Sequence, residues 1–167
     1  MIQVYTGNGK GKTTAALGLA LRAVGAGKKV FIGQFIKGND YSELKTLRKI
    51  RNIKLEQFGR GSFIKGRPKA LDLELADKGM KMIEEIIRKA AYDLVILDEI
   101  NIALDLKLLK LRRVLNLIKN TPPKIELVLT GRYAPAGLLR RADLVSRIEE
   151  SKHYFQKGQK ARRGIEY

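Results

Sequence analysis

Lys12 and Thr13 close the run Thr6-Gly7-Asn8-Gly9-Lys10-Gly11-Lys12-Thr13-Thr14, a set of residue types that can hold a triphosphate. Glycines let backbone N–H groups approach phosphate oxygens closely. A lysine reaches terminal phosphates as a mobile point charge, and a threonine hydroxyl completes a magnesium shell. Such a loop works between a strand and a helix, because the free N–H groups and positive end of the helix then face the anion. The sequence supplies both: the apolar run Ile2-Gln3-Val4-Tyr5 precedes the loop and the amphipathic stretch from Ala15 to Val24 follows it. One position departs from the usual pattern, which begins with Gly where this chain has Thr6. The competing reading is an ordinary glycine-rich turn, but turn chemistry does not ask for Gly-Lys-Thr-Thr at a helix start. The loop predicts a binder of nucleoside triphosphate.

The elements that must position this loop alternate between strand and helix. Residues 29–35 read as a second strand, after helix one closes around Gly25 and Gly27. A short helix over 42–49 leads to a third strand, 53–58, and then to a loop with Gly59, Gly61, Gly66 and Pro68. Ala76, Met80, Ile83, Ile87 and Ala90 recur every three or four residues, which predicts a helix over 71–90 with one core-facing stripe. Leu94-Val95-Ile96-Leu97 is apolar throughout, as expected of a central parallel strand covered on both faces. A basic amphipathic helix is predicted over 106–119, packed through Leu108, Leu111, Leu115 and Ile118. A strand over 125–130, a helix reaching Ala142 and a strand over 144–148 follow. With no repeat and no low-complexity linker, residues 1–167 read as one α/β domain, a mostly parallel central sheet with helices on both faces.

Ligands of such sheets sit at the carboxyl ends of the strands. Asp98-Glu99 ends strand four, where a carboxylate holds magnesium directly or through water, opposite Thr13; a helix cap followed by a first-turn acid is the other reading. Thr130-Gly131-Arg132 ends strand five, where an arginine forks onto phosphate or is surface charge. Gln34 and Lys37 end strand two, within reach of the nucleotide or a second substrate, or as loop surface.

Composition narrows the class without naming a reaction. A chain of 167 residues with 44% hydrophobic residues has enough material for one real core. The absence of cysteine excludes disulfides and thiolate chemistry, and the single His153 cannot build a multi-histidine metal site. No run approaches the ~18 apolar residues of a membrane span, so a cytoplasmic location and no membrane partner are expected. The net charge of +17 is concentrated: residues 37–69 hold ten Lys or Arg against three acids, and residues 107–124 hold six bases and no acid. Such fields attract polyanions or an acidic protein. Aromatic residues make up 7% and show no pattern for stacking single-stranded bases, so nucleic acid is not the expected partner.

Taken in order, Gly7-Asn8-Gly9-Lys10-Gly11-Lys12-Thr13-Thr14-Ala15-Ala16, Gln34-Phe35-Ile36-Lys37-Gly38, Leu97-Asp98-Glu99, Leu129-Thr130-Gly131-Arg132 and the closing Lys152-His153-Tyr154-Phe155 with Gly158, Ala161 and Gly164-Ile165-Glu166-Tyr167 resemble the P-loop type of ATP:cob(I)alamin (corrinoid) adenosyltransferase. The resemblance covers nearly the whole chain, and Thr6 agrees with that family, which holds ATP in reversed orientation along the loop. It implies a RecA-like P-loop fold, a homodimer, and transfer of the 5′-deoxyadenosyl group of ATP onto cobalt(I), with intact triphosphate as the other product. Cobalt(I) is itself the nucleophile, so the protein has to position C5′ and stabilise the departing triphosphate. By resemblance, Gly7, Asn8, Gly9, Lys10, Gly11, Lys12, Thr13 and Thr14 hold phosphates, Thr13 and Glu99 hold magnesium, and Lys12 and Arg132 stabilise the leaving charge. Phe63, in the loop after strand three, is the aromatic residue implied to displace the lower axial cobalt ligand, with Gln34 and Lys37 also on the corrinoid side; the tryptophan common in relatives is absent here. The electron donor implied is an acidic flavoprotein reductase, a fit to the positive surface. Many bacterial relatives carry an N-terminal segment that helps cover the active site, whereas this chain opens on strand one. A P-loop ATPase acting on nucleic acid shares the loop and the charge, and a nucleotide-dependent regulatory module shares the loop, but neither explains the closing motif.

Overall fold

The structure is a computed structural model and describes residues 1–61, 64 and 66–167. Its elements in chain order are β1 (Ile2–Thr6), α1 (Lys12–Gly25), β2 (Val30–Phe35), α2 (Ser42–Leu47), β3 (Ile53–Phe58), α3 (Ala70–Lys89) and β4 (Leu94–Asp98). There follow α4 (Ile100–Asp105), α5 (Leu111–Lys119), β5 (Glu126–Thr130), α6 (Ala136–Leu139), β6 (Leu144–Arg147) and a 3₁₀ turn, Tyr154–Lys157. The described strands form one six-stranded sheet in the order β3-β2-β4-β5-β1-β6, and every pairing is parallel.

Alternation along the strands sorts the core into two layers. Phe31, Phe35, Val95, Leu97, Leu127 and Leu129 face the layer that holds Met80 and Ile83 of α3 and Val114 and Leu117 of α5. Val30, Ile32, Leu94, Ile96 and Val128 face the opposite layer with Ala16, Ala20 and Ala23 of α1. Alternate residues of β2, β4 and β5 point to opposite faces, so a strand buried on both sides has to be apolar at every position. Small alanines on α1 let that helix lie close against the strands.

One helix boundary differs from the sequence expectation. The predicted helix over 106–119 begins only at Leu111, as α5, and the separate helix α4 ends ahead of it, because the chain turns at Lys107 with φ 58°. There the N–H of Lys107 donates to the Leu104 carbonyl and the N–H of Leu108 to the Ala103 carbonyl. This is the double closure with a left-handed residue that ends helices, usually on glycine. Helix α1 ends through the same pair of bonds, from Gly27 to Val24 and Lys28 to Ala23, and there the glycine made the stop readable. Helix α6 is also shorter than expected and stops at Leu139 rather than reaching Ala142.

Candidate active site

The phosphate loop runs from the end of β1 to the start of α1, whose first turn carries no acidic residue to neutralise its positive end. Thr6, the departure from the usual loop pattern, is still strand: it is 3% exposed and pairs with Arg147 of β6. An extended, buried position suits a β-branched residue and needs no glycine. Gly7 and Gly9 are required by close approach as well as by phosphate. The chain leaving β6 passes directly over them: a Cβ on Gly7 would overlap the Ile148 carbonyl, and one on Gly9 would lie 2.7 Å from the Glu149 oxygen. The N–H of Gly9 donates to the Ile148 carbonyl at 2.7 Å.

Lys12 is 7% exposed and folds back over the loop, its Nζ donating to the Gly9 carbonyl at 2.7 Å. Burial holds its ammonium below the usual lysine value, against the opposing pull of Glu99. A desolvated cation with one neutral acceptor gains strongly from an incoming phosphate. Thr14 and Asn8 are exposed beside it.

Asp98 is the hub beneath the loop. At 1% exposure its carboxylate accepts from four side chains on three other parts of the sheet edge: Thr13 Oγ1 at 2.9 Å, Thr130 Oγ1 at 2.6 Å, Lys37 Nζ at 2.8 Å and Gln34 Nε2 at 3.2 Å. Burial opposes its ionisation, but the Lys37 charge and the hydrogen bonds from Lys37, Thr130 and Thr13 hold it below the ordinary aspartate value. Gln34 is fully buried and also accepts from Gln57 Nε2 at 3.2 Å. Gln34, expected on the corrinoid side, is thus placed with its amide bonded inside the protein, to Asp98 and Gln57. Lys37 likewise turns inward onto Asp98 rather than outward as a corrinoid contact.

Glu99 behaves differently from its neighbour. It sits in left-handed backbone at φ 59°, its N–H donates to Thr130 Oγ1 at 3.0 Å, and its carboxylate accepts no hydrogen bond among the described residues. Burial, reinforced by the charge of Asp98, pushes its carboxyl above the usual range, while Lys37, Lys12 and Arg132 pull the other way. Backbone strain of this kind collects at functional sites. Arg132 is exposed just beyond β5 and makes no ion pair among the described residues. The sequence-predicted residues Lys12, Thr13, Asp98, Glu99 and Arg132 are thus brought to one edge, whereas Phe63 lies outside the described residues.

No cluster of three or more His, Cys, Asp or Glu able to hold a metal is present among the described residues. Magnesium, which the family resemblance implies, keeps several waters and takes one or two protein oxygens plus substrate phosphates. The hydroxyl of Thr13 and the unpartnered carboxylate of Glu99 fit that demand.

A second cluster joins Lys10, expected to hold phosphate, to tail residues that had no individual role assigned from sequence. Lys10 Nζ donates to Tyr154 Oη at 2.8 Å, to the Ile165 carbonyl at 3.0 Å and to Glu166 Oε1 at 3.0 Å, and Arg162 lies over the Tyr154 ring. The closing motif therefore folds onto the phosphate loop and holds the Lys10 side chain. The signal was the tail motif itself, but nothing local says which loop residue it meets. Glu166→Gln is expected to raise KM for ATP about threefold to tenfold with kcat unchanged, the scale of one or two hydrogen bonds. Steady-state kinetics of Lys10→Ala and Glu166→Gln together check it: an effect confined to Lys10→Ala would leave the tail without a part in ordering the loop.

The comparisons agree with this geometry. Residues 1–167 match the family described as ATP:corrinoid adenosyltransferase BtuR/CobO/CobP. The chain is 36% identical over 169 residues to a corrinoid adenosyltransferase of Pseudomonas aeruginosa, covering all of this chain and 83% of that one. It is 34% identical over 167 residues to those of Escherichia coli and Salmonella typhimurium, covering all of this chain and 85% of each. Among solved structures, a KaiC-like protein from Pyrococcus horikoshii aligns with TM-score 0.59 at 18% identity, over 91% of this chain and 74% of that one, which speaks for the α/β RecA-like fold alone. A whole-chain family match leaves the nucleic-acid ATPase reading without support, and the chain belongs to the ATP:corrinoid adenosyltransferase family, whose members transfer the adenosyl group of ATP to a corrinoid.

Proposed function

We propose that the edge formed by the phosphate loop, Asp98-Glu99 and Arg132 carries this transfer, with a division of labour among its residues. The N–H groups of the loop from Gly7 to Thr14, except that of Gly9, which Ile148 holds, and the start of α1 hold the triphosphate. Lys12 exchanges the Gly9 carbonyl for a phosphate oxygen, and Arg132 adds charge as triphosphate departs. Thr13 and Glu99 hold magnesium, which supplies charge neutralisation along the phosphates, while Asp98 fixes Thr13 from behind. Cobalt(I) attacks C5′ of ATP, the carbon–oxygen bond to the triphosphate breaks, and its electron pair leaves with the triphosphate. No protein nucleophile is required.

The single observation that carries this reading is the pairing of a saturated, buried Asp98 with a Glu99 that no described donor satisfies. Phe63 is assigned the aromatic role on the lower face of the corrinoid. Arg60, two residues beyond β3, is tied to Asp72 of α3 by bonds of 2.5 and 3.0 Å. The active form is a homodimer, and an acidic flavoprotein supplies the electron to a chain of net charge +17. A reaction that consumes ATP and a strong reductant belongs in the cytoplasm, and among the described residues no helix is long and apolar enough to cross a membrane.

With ATP, magnesium and chemically reduced cobalamin, the expected products are adenosylcobalamin and unbroken triphosphate. A hydrolase using Glu99 to activate water would release ADP and inorganic phosphate. Phosphorus NMR and the visible spectrum of the corrinoid read both outcomes. ADP formed at one rate with and without cobalamin would overturn the assignment.

A further inference from the structure

Among the described residues, Lys37 is the one cation in direct contact with both Asp98 and Thr13. Its Nζ lies 2.8 Å from Asp98 Oδ2 and 3.4 Å from Thr13 Oγ1, and its side chain is 16% exposed. The ammonium therefore lies beside the Thr13 hydroxyl that the proposed function gives to magnesium.

The backbone keeps it in place. Ile36 is in left-handed conformation at φ 66°, and the N–H of Lys37 donates to the Phe35 carbonyl at 2.7 Å, a tight turn off the end of β2. The turn is clamped from outside by Gly59, where a Cβ would overlap the Ile36 carbonyl. The ring of Tyr41 lies 5.4 Å from Nζ and shields it further. This is a held lysine rather than a flexible surface one.

We propose that Lys37 occupies the metal position of the nucleotide-free site and keeps divalent cations out until a triphosphate arrives. The inference rests on the reading of Thr13 and Glu99 as the metal position. Charge accounts for the exclusion. Lys12, Lys37 and Arg132 all act on the Glu99 carboxylate, so the group that would take a divalent ion already faces three cations. A free divalent ion meets the Lys37 ammonium and a hydroxyl already engaged with Lys37 and Asp98. A triphosphate adds negative charge, offers Lys37 phosphate oxygens in place of Asp98, and brings its own magnesium. Lys37 is then a positioning residue that couples metal entry to nucleotide entry, and it ends on the departing triphosphate.

Manganese(II) is the probe, read by electron paramagnetic resonance on the full chain. Without nucleotide, K37M and K37Q are expected to bind it on the order of tenfold or more tightly than wild type, because one nearby positive charge is gone. K37Q retains a donor for Asp98 and serves if K37M fails to fold, with circular dichroism as the check. Variants that fold and bind manganese no better than wild type overturn the inference, while wild type that still binds manganese with ATP leaves the metal reading standing. Manganese–ATP that fails to bind wild type overturns both. A measurement on wild type needs no variant: the lysine ammonium nitrogen signal of Lys37 should ignore magnesium alone and move with magnesium plus ATP. A signal that moves equally with magnesium alone overturns the inference.

Discussion

Lys12→Ala is expected to lower kcat by on the order of 10²-fold or more, the scale seen when one preorganised donor to a developing anion is removed. The reason is the environment of Lys12 rather than its charge alone. Its ammonium is buried, held below the ordinary lysine value by desolvation, and bonded to one carbonyl of its own loop. Such a cation has little to lose and much to gain when triphosphate leaves C5′ with its extra negative charge. Stability should change little, because the variant removes a poorly solvated charge and one bond to Gly9. Single-turnover kinetics with pre-reduced cobalamin, alongside thermal unfolding, separate the two effects. A folded variant with full rate would remove Lys12 from the chemistry.

Asp98→Ala should have the largest effect on the fold, a loss of about 3–5 kcal/mol, because removing one partner of a buried ion pair strands the other. Here it strands the Lys37 ammonium together with the donors of Gln34, Thr13 and Thr130. Against a total stability of roughly 5–15 kcal/mol, that is a large share. The pH dependence follows with a definite sign. The folded Asp98 is held below its unfolded value, so its contribution is full above the unfolded value, near ~3.9, and is lost as pH falls through the lower folded one. Glu99 acts the opposite way: its folded carboxyl is raised, so its ionised form costs stability at neutral pH and protonation relieves that cost. Urea unfolding of Asp98→Ala at neutral pH, compared with wild type, checks the magnitude. A midpoint within error of wild type would mean that Lys37 escapes to solvent and the hub is not structural.

These two residues also divide what sequence could show from what it could not. The phosphate loop was legible because its chemistry is local: glycines, lysine and threonine act within one turn between β1 and α1, so their spacing is the site. The strand–helix alternation was legible for the same reason, since the periods of two and 3.6 residues are set by neighbouring positions. Asp98-Glu99 stood out as charge at the end of a wholly apolar strand, and the order of motifs along the chain identified the family.

The contacts that give those residues their roles join positions far apart in sequence, and no local pattern encodes them. Only the strand order brings Thr130 and Gln34 beside Asp98, because β5 and β2 flank β4. That placement makes Gln34 and Lys37 partners of a buried carboxylate, a contact their sequence neighbours did not announce. Only the parallel pairing of β6 with β1 lays Ile148 and Glu149 across Gly7 and Gly9, and only the return of the tail brings Glu166 to Lys10. The helix stop at Lys107 was hidden because a lysine took the left-handed position where a glycine announces one. By itself the sequence determined the chemistry available, through residue types at short spacing; the tertiary structure decided which charges are buried and with whom, because burial and long-range pairing are properties of the packed sheet.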